Sequence, residues 1–150
     1  MWRLRNVPVP EAYLVGLAVA LVLHRTRPWR IPIGRRAIRR LGWPLILGGA
    51  GLIAASVRAA GVVDLEHASR LVTTGPYAHS RNPMYTGWAM ACLGTGLVAD
   101  SGWIVAAVPF AAWRIHSDVR SEEDHLAAAF GDEFNAYRAR VPRYRLTLSP

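Results

Sequence analysis

The sequence predicts an all-α, polytopic membrane bundle of about four short transmembrane helices, the last two paired as a hairpin, followed by an amphipathic cytosolic helix. Three observations predict it. Apolar residues make up 52% of the 150 and are gathered into four blocks, the pattern of membrane spans rather than of a water-soluble globule. Arg residues crowd between blocks: Arg25, Arg27, Arg30, Arg35, Arg36, Arg39 and Arg40 all lie between the first two. Ala99-Asp100-Ser101-Gly102 alone joins the third block to the fourth, a connection short enough to force antiparallel neighbours.

The spans are expected at about 10–24, 41–60, 83–98 and 102–116, and the last helix at about 118–140, all in one domain. A helix of about 16 residues reaches only about 24 Å, against a hydrocarbon core of about 30 Å. Such spans must recruit flanking residues, thin the bilayer or cross incompletely. The first block follows Arg3 and Arg5 as a signal peptide would. It runs into His24-Arg25 with no small-residue cleavage site, so it is read as a retained membrane segment. The second extends to Val63 if Arg58 snorkels. Gly87, Ala91 and Thr95, at four-residue steps, are expected to face Ala107 and Ala111 across the hairpin, with similar steps at Gly16/Ala20 and Gly51/Ala55. In the tail, Ser121 with Asp124 reads as a capping box that starts a new helix. Leu126, Phe130, Phe134 and Tyr137 give that helix one apolar stripe.

All 18 basic residues are Arg, and the net charge is +8. Beside apolar blocks that charge meets lipid headgroups, where each basic residue contributes roughly 1 kcal/mol, so membrane lipids rather than nucleic acid are the expected partners. With all four blocks crossing, the N-terminus, the 58–82 loop and the tail share a side and carry more Arg than the first loop does. The positive-inside rule then puts both termini in the cytoplasm. The lone Cys92 can form no internal disulfide, and no metal-ligand cluster exists in the sequence.

Two polar clusters interrupt the apolar pattern. Leu71 to Gly87 is crowded with hydrogen-bonding groups, and Ser121-Glu122-Glu123-Asp124-His125 follows the fourth block. The hairpin returns the chain to the side it left, so the two clusters can meet. Gly-x-Ser-x-Gly, His-Glu-x-x-His, Walker and Gly-x-Gly-x-x-Gly patterns are absent. What remains are donors (His79, Arg81, Asn82 and the N–H groups of the helix after Pro83), aromatics (Tyr77, Tyr85) and acids (Glu122, Glu123). A helix mouth offers free N–H groups to an anion, and acids opposite suit an ammonium or a ribose. His67, His79 and His125 read as ordinary loop or interfacial residues.

Leu71-Val72-Thr73-Thr74-Gly75-Pro76-Tyr77, then Arg81-Asn82-Pro83-Met84-Tyr85-x-Gly87, resembles the signature of the isoprenylcysteine carboxyl methyltransferase and phospholipid methyltransferase-like membrane enzymes. A later match runs from Glu122-Glu123-x-x-Leu126 through Phe130-Gly131, Phe134 and Tyr137 to Val141-Pro142-Arg143-Tyr144. The resemblance implies a membrane enzyme using S-adenosylmethionine to methylate a lipid or isoprenoid acceptor, most simply a carboxylate, with its active site facing the cytoplasm; the Arg-only basicity reads as bacterial, so a bacterial cell membrane is expected. Carried over by motif, Tyr77, Arg81, Asn82, Pro83, Tyr85, Gly87, Glu122, Glu123 and Tyr137 line the cofactor site. Arg81, Asn82, Tyr85 and Glu123 sit at the reacting centre, and Arg143 or Arg81 holds an acceptor carboxylate or phosphate. Neither metal nor nucleic acid is implied. Many relatives carry His where this chain has Asn82, which cannot titrate near neutral pH; a mechanism built on a histidine base there does not transfer. Two other readings stand beside this one: an NADPH-dependent membrane reductase of the sterol reductase type, and a non-catalytic membrane protein whose clusters only brace hairpin against tail.

Overall fold

The computed structural model describes residues 10–32, 34–61 and 70–144. Within them the chain forms α1 (Glu11–Thr26), α2 (Arg35–Ala60), a single 3-10 turn (Gly75–Ala78), α3 (Pro83–Val98) and α4 (Gly102–Arg140), with no strand among the described residues. The all-α expectation holds. Arg3, Arg5, His67 and any extension of the second span to Val63 lie outside the described residues.

Two boundaries differ from expectation. α2 begins at Arg35 rather than near 41, because residues 35–41 contain neither Gly nor Pro and let the helix start at the Arg run. The separate tail helix is corrected: α4 runs unbroken through 118, and Ser121 lies inside it rather than capping a new helix. Residues 116–120 contain neither Gly nor Pro, so nothing there stops the helix that Ser101 starts by accepting the Ile104 N–H. The break falls at Gly131, whose φ of 51° only glycine adopts readily.

α2 and α3 pack backbone to backbone. A Cβ on Gly49 would lie 2.5 Å from the Gly87 carbonyl oxygen, and one on Gly94 would lie 2.6 Å from that of Gly42. The two glycine pairs are one heptad apart on each helix, so the seam repeats along an antiparallel crossing. The expected seam between Gly87–Thr95 and Ala107–Ala111 is thereby corrected: Gly87 and Ala91 face α2, and α3 meets α4 through Gly96 against Ile104 and Val105. Gly51 packs on nothing. α1 lies against α4, where Gly16 faces Ala107, and Tyr13, Cys92, Ala111, Ile115 and Val119 form one core cluster.

Among the described residues one helix, α2, is long and apolar enough to cross a bilayer. α1 and α3 have 16 residues each, about 24 Å at a rise of 1.5 Å. Large apolar side chains nevertheless point outward on three helices: Leu14, Val15, Val19 and Val22, then Leu41, Trp43 and Leu47, then Phe110 and Trp113. A belt of that extent marks a surface made for something other than water. At one end of it, buried Asp100 accepts the Ile31 N–H and pairs with Arg35, while Trp29 stacks edge-on against Trp103. Glu123 lies twenty residues beyond Trp103 on the same helix, about 30 Å along its axis. The two polar ends are therefore about one hydrocarbon thickness apart.

Candidate functional site

Pro76 and Gly75, at φ 61°, fold the 71–82 loop into its single 3-10 turn. Pro83 then starts α3 at a position where its missing N–H costs nothing. Arg81 and Asn82 are thereby held at the mouth of α3, beside the far half of α4. The hairpin does bring the two polar clusters together, as the sequence predicts.

Glu123 is the knot. Arg143 grips its carboxylate with Nε and Nη2, at 3.0 and 2.8 Å. Arg81 Nη2 approaches the same group at 3.1 Å, and Arg81 Nη1 donates to the Arg138 carbonyl at 3.0 Å. The Glu123 side chain is only 9% exposed and that of Arg81 11%. Burial pushes the Glu123 carboxyl up, but the Arg143 hydrogen bonds and the Arg81 and Arg143 charges outweigh it and hold it below the ordinary carboxylate range.

Backbone pairing completes the junction. The Arg81 N–H donates to the Pro142 carbonyl and the Asn82 N–H to that of Arg143, at 2.9 and 3.1 Å. Ser80 Oγ and Asn82 Nδ2 donate to the same Arg143 oxygen. Tyr137 donates to the Tyr77 carbonyl at 2.7 Å. Residues 141–143 thus form a strap laid across the loop before α3. Phe134 and Tyr137 pack against its first residue, Val141, together with Leu71, Leu126 and Phe130, so the predicted stripe is the face that seats the strap.

Glu122 differs from its neighbour. Its carboxyl is pushed above the usual range, first by the protein crowded around it and second by the Glu123 charge. The residue is nonetheless exposed to solvent. Tyr77 feels that charge and is itself pushed up to about 12, chiefly by burial. Glu122 also acts on Tyr85, so its charge lies near both tyrosines. Arg81 Nε is buried without a hydrogen-bond partner, and no side chain caps the α3 N-terminus.

Tyr77, Arg81, Asn82, Pro83, Tyr85, Glu122, Glu123, Tyr137 and Arg143 therefore converge. Gly87 does not: it turns to α2, with Ile53 and the Gly49 carbonyl against it. The Arg143 fork, expected on an acceptor's oxyanion, is taken up by Glu123. Ser80, fully buried at the junction, was not anticipated; the only signal was a small hydroxyl residue just before Arg81-Asn82-Pro83. Tyr144, which the sequence marks only as the end of the motif, meets His116 of α4 at 2.9 Å.

A family model described as Phospholipid methyltransferase matches residues 38–133. A Schizosaccharomyces pombe protein-S-isoprenylcysteine O-methyltransferase is 34% identical over 48% of this chain and 31% of its own length. The Homo sapiens protein of that name is 35% identical over 48% of this chain and 26% of its own length. A nickel-cobalt-cadmium resistance protein, NccN, of Alcaligenes xylosoxydans xylosoxydans is 33% identical over 54% of this chain and 38% of its own length. The chain thus spans well under half the length of these curated relatives. Among solved structures, a eukaryotic intramembrane Ras methyltransferase (isoprenylcysteine carboxyl methyltransferase) superposes with a TM-score of 0.65, at 23% identity, over 91% of this chain and 52% of that one. That likeness shows a shared fold.

Proposed function

The chain belongs to the phospholipid methyltransferase family, and on that footing we propose that it is a membrane enzyme transferring a methyl group from S-adenosylmethionine to the carboxylate of a lipidic or isoprenoid acceptor. The observation that carries this is the junction at Glu123: one buried carboxylate ties the mouth of α3 to the tail of α4. Beside it stand an exposed acid, Glu122, and the tyrosines on which its charge acts, Tyr77 and Tyr85.

Those groups suit a zwitterion that carries a ribose and a cationic sulfur. The first-turn N–H groups of α3, which no side chain caps, would receive a carboxylate. Glu122 is the acid to balance an ammonium or accept ribose hydroxyls. Tyr77, Tyr85 and Tyr137 would flank the cofactor, and a tyrosine face steadies a cation by about 0.5–2 kcal/mol. The sulfonium supplies a methyl group already activated for displacement.

The remaining task is to hold an acceptor oxygen in line, an effect that can reach roughly 10 kcal/mol. An acceptor carboxylate is ionised at neutral pH and needs no base, in keeping with Asn82, whose amide holds the strap. Glu123 and Arg143 act as positioning residues. Our reading puts the chain in a bacterial cell membrane with four crossings; the Arg-only basicity supports the bacterial source, and the larger Arg count on the side of the loop and tail supports a cytoplasmic site.

Purified protein incubated with methyl-tritiated S-adenosylmethionine and a lipid extract tests this. Label that enters lipid and leaves as methanol in mild alkali is the expected result, since carboxyl methyl esters hydrolyse there. Alkali-stable label would make the acceptor an amine. No transfer by folded protein to any lipid fraction would contradict the enzyme reading.

A further inference from the structure

The end of the molecule opposite Glu123 is basic. No Asp or Glu lies between Glu11 and Asp64, and seven Arg fall within residues 25–40. α1 packs on α4 and α2 on α3, so the chain between α1 and α2 crosses the tip of the α3–α4 hairpin. Backbone groups fasten it there. The Gly102 N–H donates to the Trp29 carbonyl at 2.8 Å, and Trp103 Nε1 to that of Arg27 at 2.7 Å. The Ile31 N–H donates to Asp100 Oδ1 at 3.0 Å. The fit is close: a Cβ on Gly102 would lie 2.5 Å from the Trp29 ring.

The charges are left outside. Asp100 is buried and already engaged by Ile31 and Arg35. Arg25, Arg27, Arg30, Arg36, Arg39 and Arg40 are exposed and, among the described residues, in no ion pair. A segment already fastened loses little freedom when something binds to it. Along α2 the outward face grades from charge to hydrocarbon. Arg36, Arg40, Trp43 and Leu47 follow at steps of four, three and four, which puts them on one face, and all are exposed. Charge, then an aromatic ring, then an aliphatic chain over about 16 Å of helix is the profile of a bilayer interface. α1 repeats it from the other side, where exposed Val15, Val19 and Val22 lead to Arg25.

We propose that the crossing segment and the start of α2 form a docking surface for the phosphates of anionic phospholipids, in the leaflet opposite Glu123. Guanidinium forks take phosphate oxygens in pairs, and the rings of Trp29 and Trp43 lie at headgroup depth. The apolar belt decides the source of the phosphate. A nucleic acid would cover the Arg residues and leave Leu41, Trp43 and Leu47 bare, whereas lipid covers charge and belt together. A zwitterionic headgroup brings an ammonium that the Arg cluster repels, so the surface selects by headgroup charge. The proposal needs only that the chain lies in a bilayer, and it is independent of any methyl donor at Glu122 and Glu123.

Native mass spectrometry of the full chain in a non-ionic detergent, titrated with phosphatidylglycerol or with phosphatidylcholine of the same acyl chains, tests this. Each Arg beside a phosphate is expected to tighten binding about fivefold, so phosphatidylglycerol should bind at concentrations at least about tenfold lower. Arg36→Gln, Arg39→Gln and Arg40→Gln together should abolish that preference. The same charge removed at the other end, by Arg120→Gln, Arg138→Gln and Arg140→Gln together, should leave it within about twofold. All six side chains belong to exposed residues, so both variants should keep the fold, which circular dichroism melts without lipid check; Arg30→Gln, a single change in the crossing segment, should weaken phosphatidylglycerol binding about fivefold by itself. Equal loss in the two triple variants, or equal binding of the two lipids, would overturn the proposal. So would inorganic phosphate displacing the lipid at equal concentration, which would make the site one for free phosphate, or a duplex oligonucleotide binding more tightly than phosphatidylglycerol. A preference that persists in protein unable to bind S-adenosylhomocysteine would uphold the lipid surface while the enzyme reading fell alone.

Discussion

Glu123→Gln removes one charge from the junction and almost no volume. Breaking one side of a buried ion pair typically costs about 3–5 kcal/mol, because the partner charge is stranded. Two features lower that here. Glutamine keeps a carbonyl that one arginine can still use, and the Arg143 side chain is 32% exposed and can turn to water. Arg81, 11% exposed, cannot. A loss of about 2 kcal/mol follows, or about 4–8 °C in melting temperature for a chain of this size. Circular dichroism melts in detergent read the first number. Limited trypsinolysis reads the location: exposed Arg138 and Arg140 should be cut faster once the strap loosens. A cycle with Arg143→Met should return a coupling of about 0.5–3 kcal/mol. The pH profile carries a sign as well. Because the Glu123 carboxyl is held below its ordinary value, its stabilisation is whole above the unfolded pKa of about 4.3 and disappears as the pH falls through the lower folded value; in Glu123→Gln that step should vanish. Unchanged melting, proteolysis and acid profile in the variant would refute the claim that Glu123 ties strap to loop.

Two further substitutions probe neighbouring claims. Glu122→Gln should separate binding from stability: its carboxyl is pushed up by crowding and by Glu123, so neutralising it should leave the melt at pH 7 unchanged or raised while weakening S-adenosylhomocysteine binding in calorimetry; a lowered melt with intact binding would assign Glu122 to the structure alone. Gly49→Ala should lower the melt, since its Cβ would fall 2.5 Å from the Gly87 oxygen, an overpacking cost of about 1–3 kcal/mol. Gly51→Ala, with nothing within 4 Å, should raise stability by up to about 1 kcal/mol through helix propensity. Equal effects at both positions would contradict the glycine seam.

The helix positions and the meeting of the two clusters were legible in the sequence because both follow from local rules. Apolar blocks bounded by Gly, Pro and charge define α1 and α3, and the short connection at 99–102 fixes where the tail must return. The strap residues around Arg143 were visible only as a motif. Their geometry depends on backbone bonds from Arg81 and Asn82 to residues some sixty positions away, which no local pattern encodes. The choice of partner for Gly87 was illegible for a related reason: small residues permit close approach but do not say to which helix. The run from His116 to Arg120 misled because a plausible cap at Ser121 competes poorly with a helix already propagating, for which each added residue costs little. The crossing of the Arg segment over the hairpin tip could not be read at all, since it arises from elements brought together by packing.

Titration calorimetry of the folded, detergent-solubilised protein, with S-adenosylhomocysteine in one series and NADPH in another, bears most directly on the convergence of loop and tail around a sulfonium donor. Saturable heat with S-adenosylhomocysteine, weakened in Glu122→Gln, and none with NADPH is the expected result. No heat with S-adenosylhomocysteine, or saturable heat with NADPH alone, would contradict it.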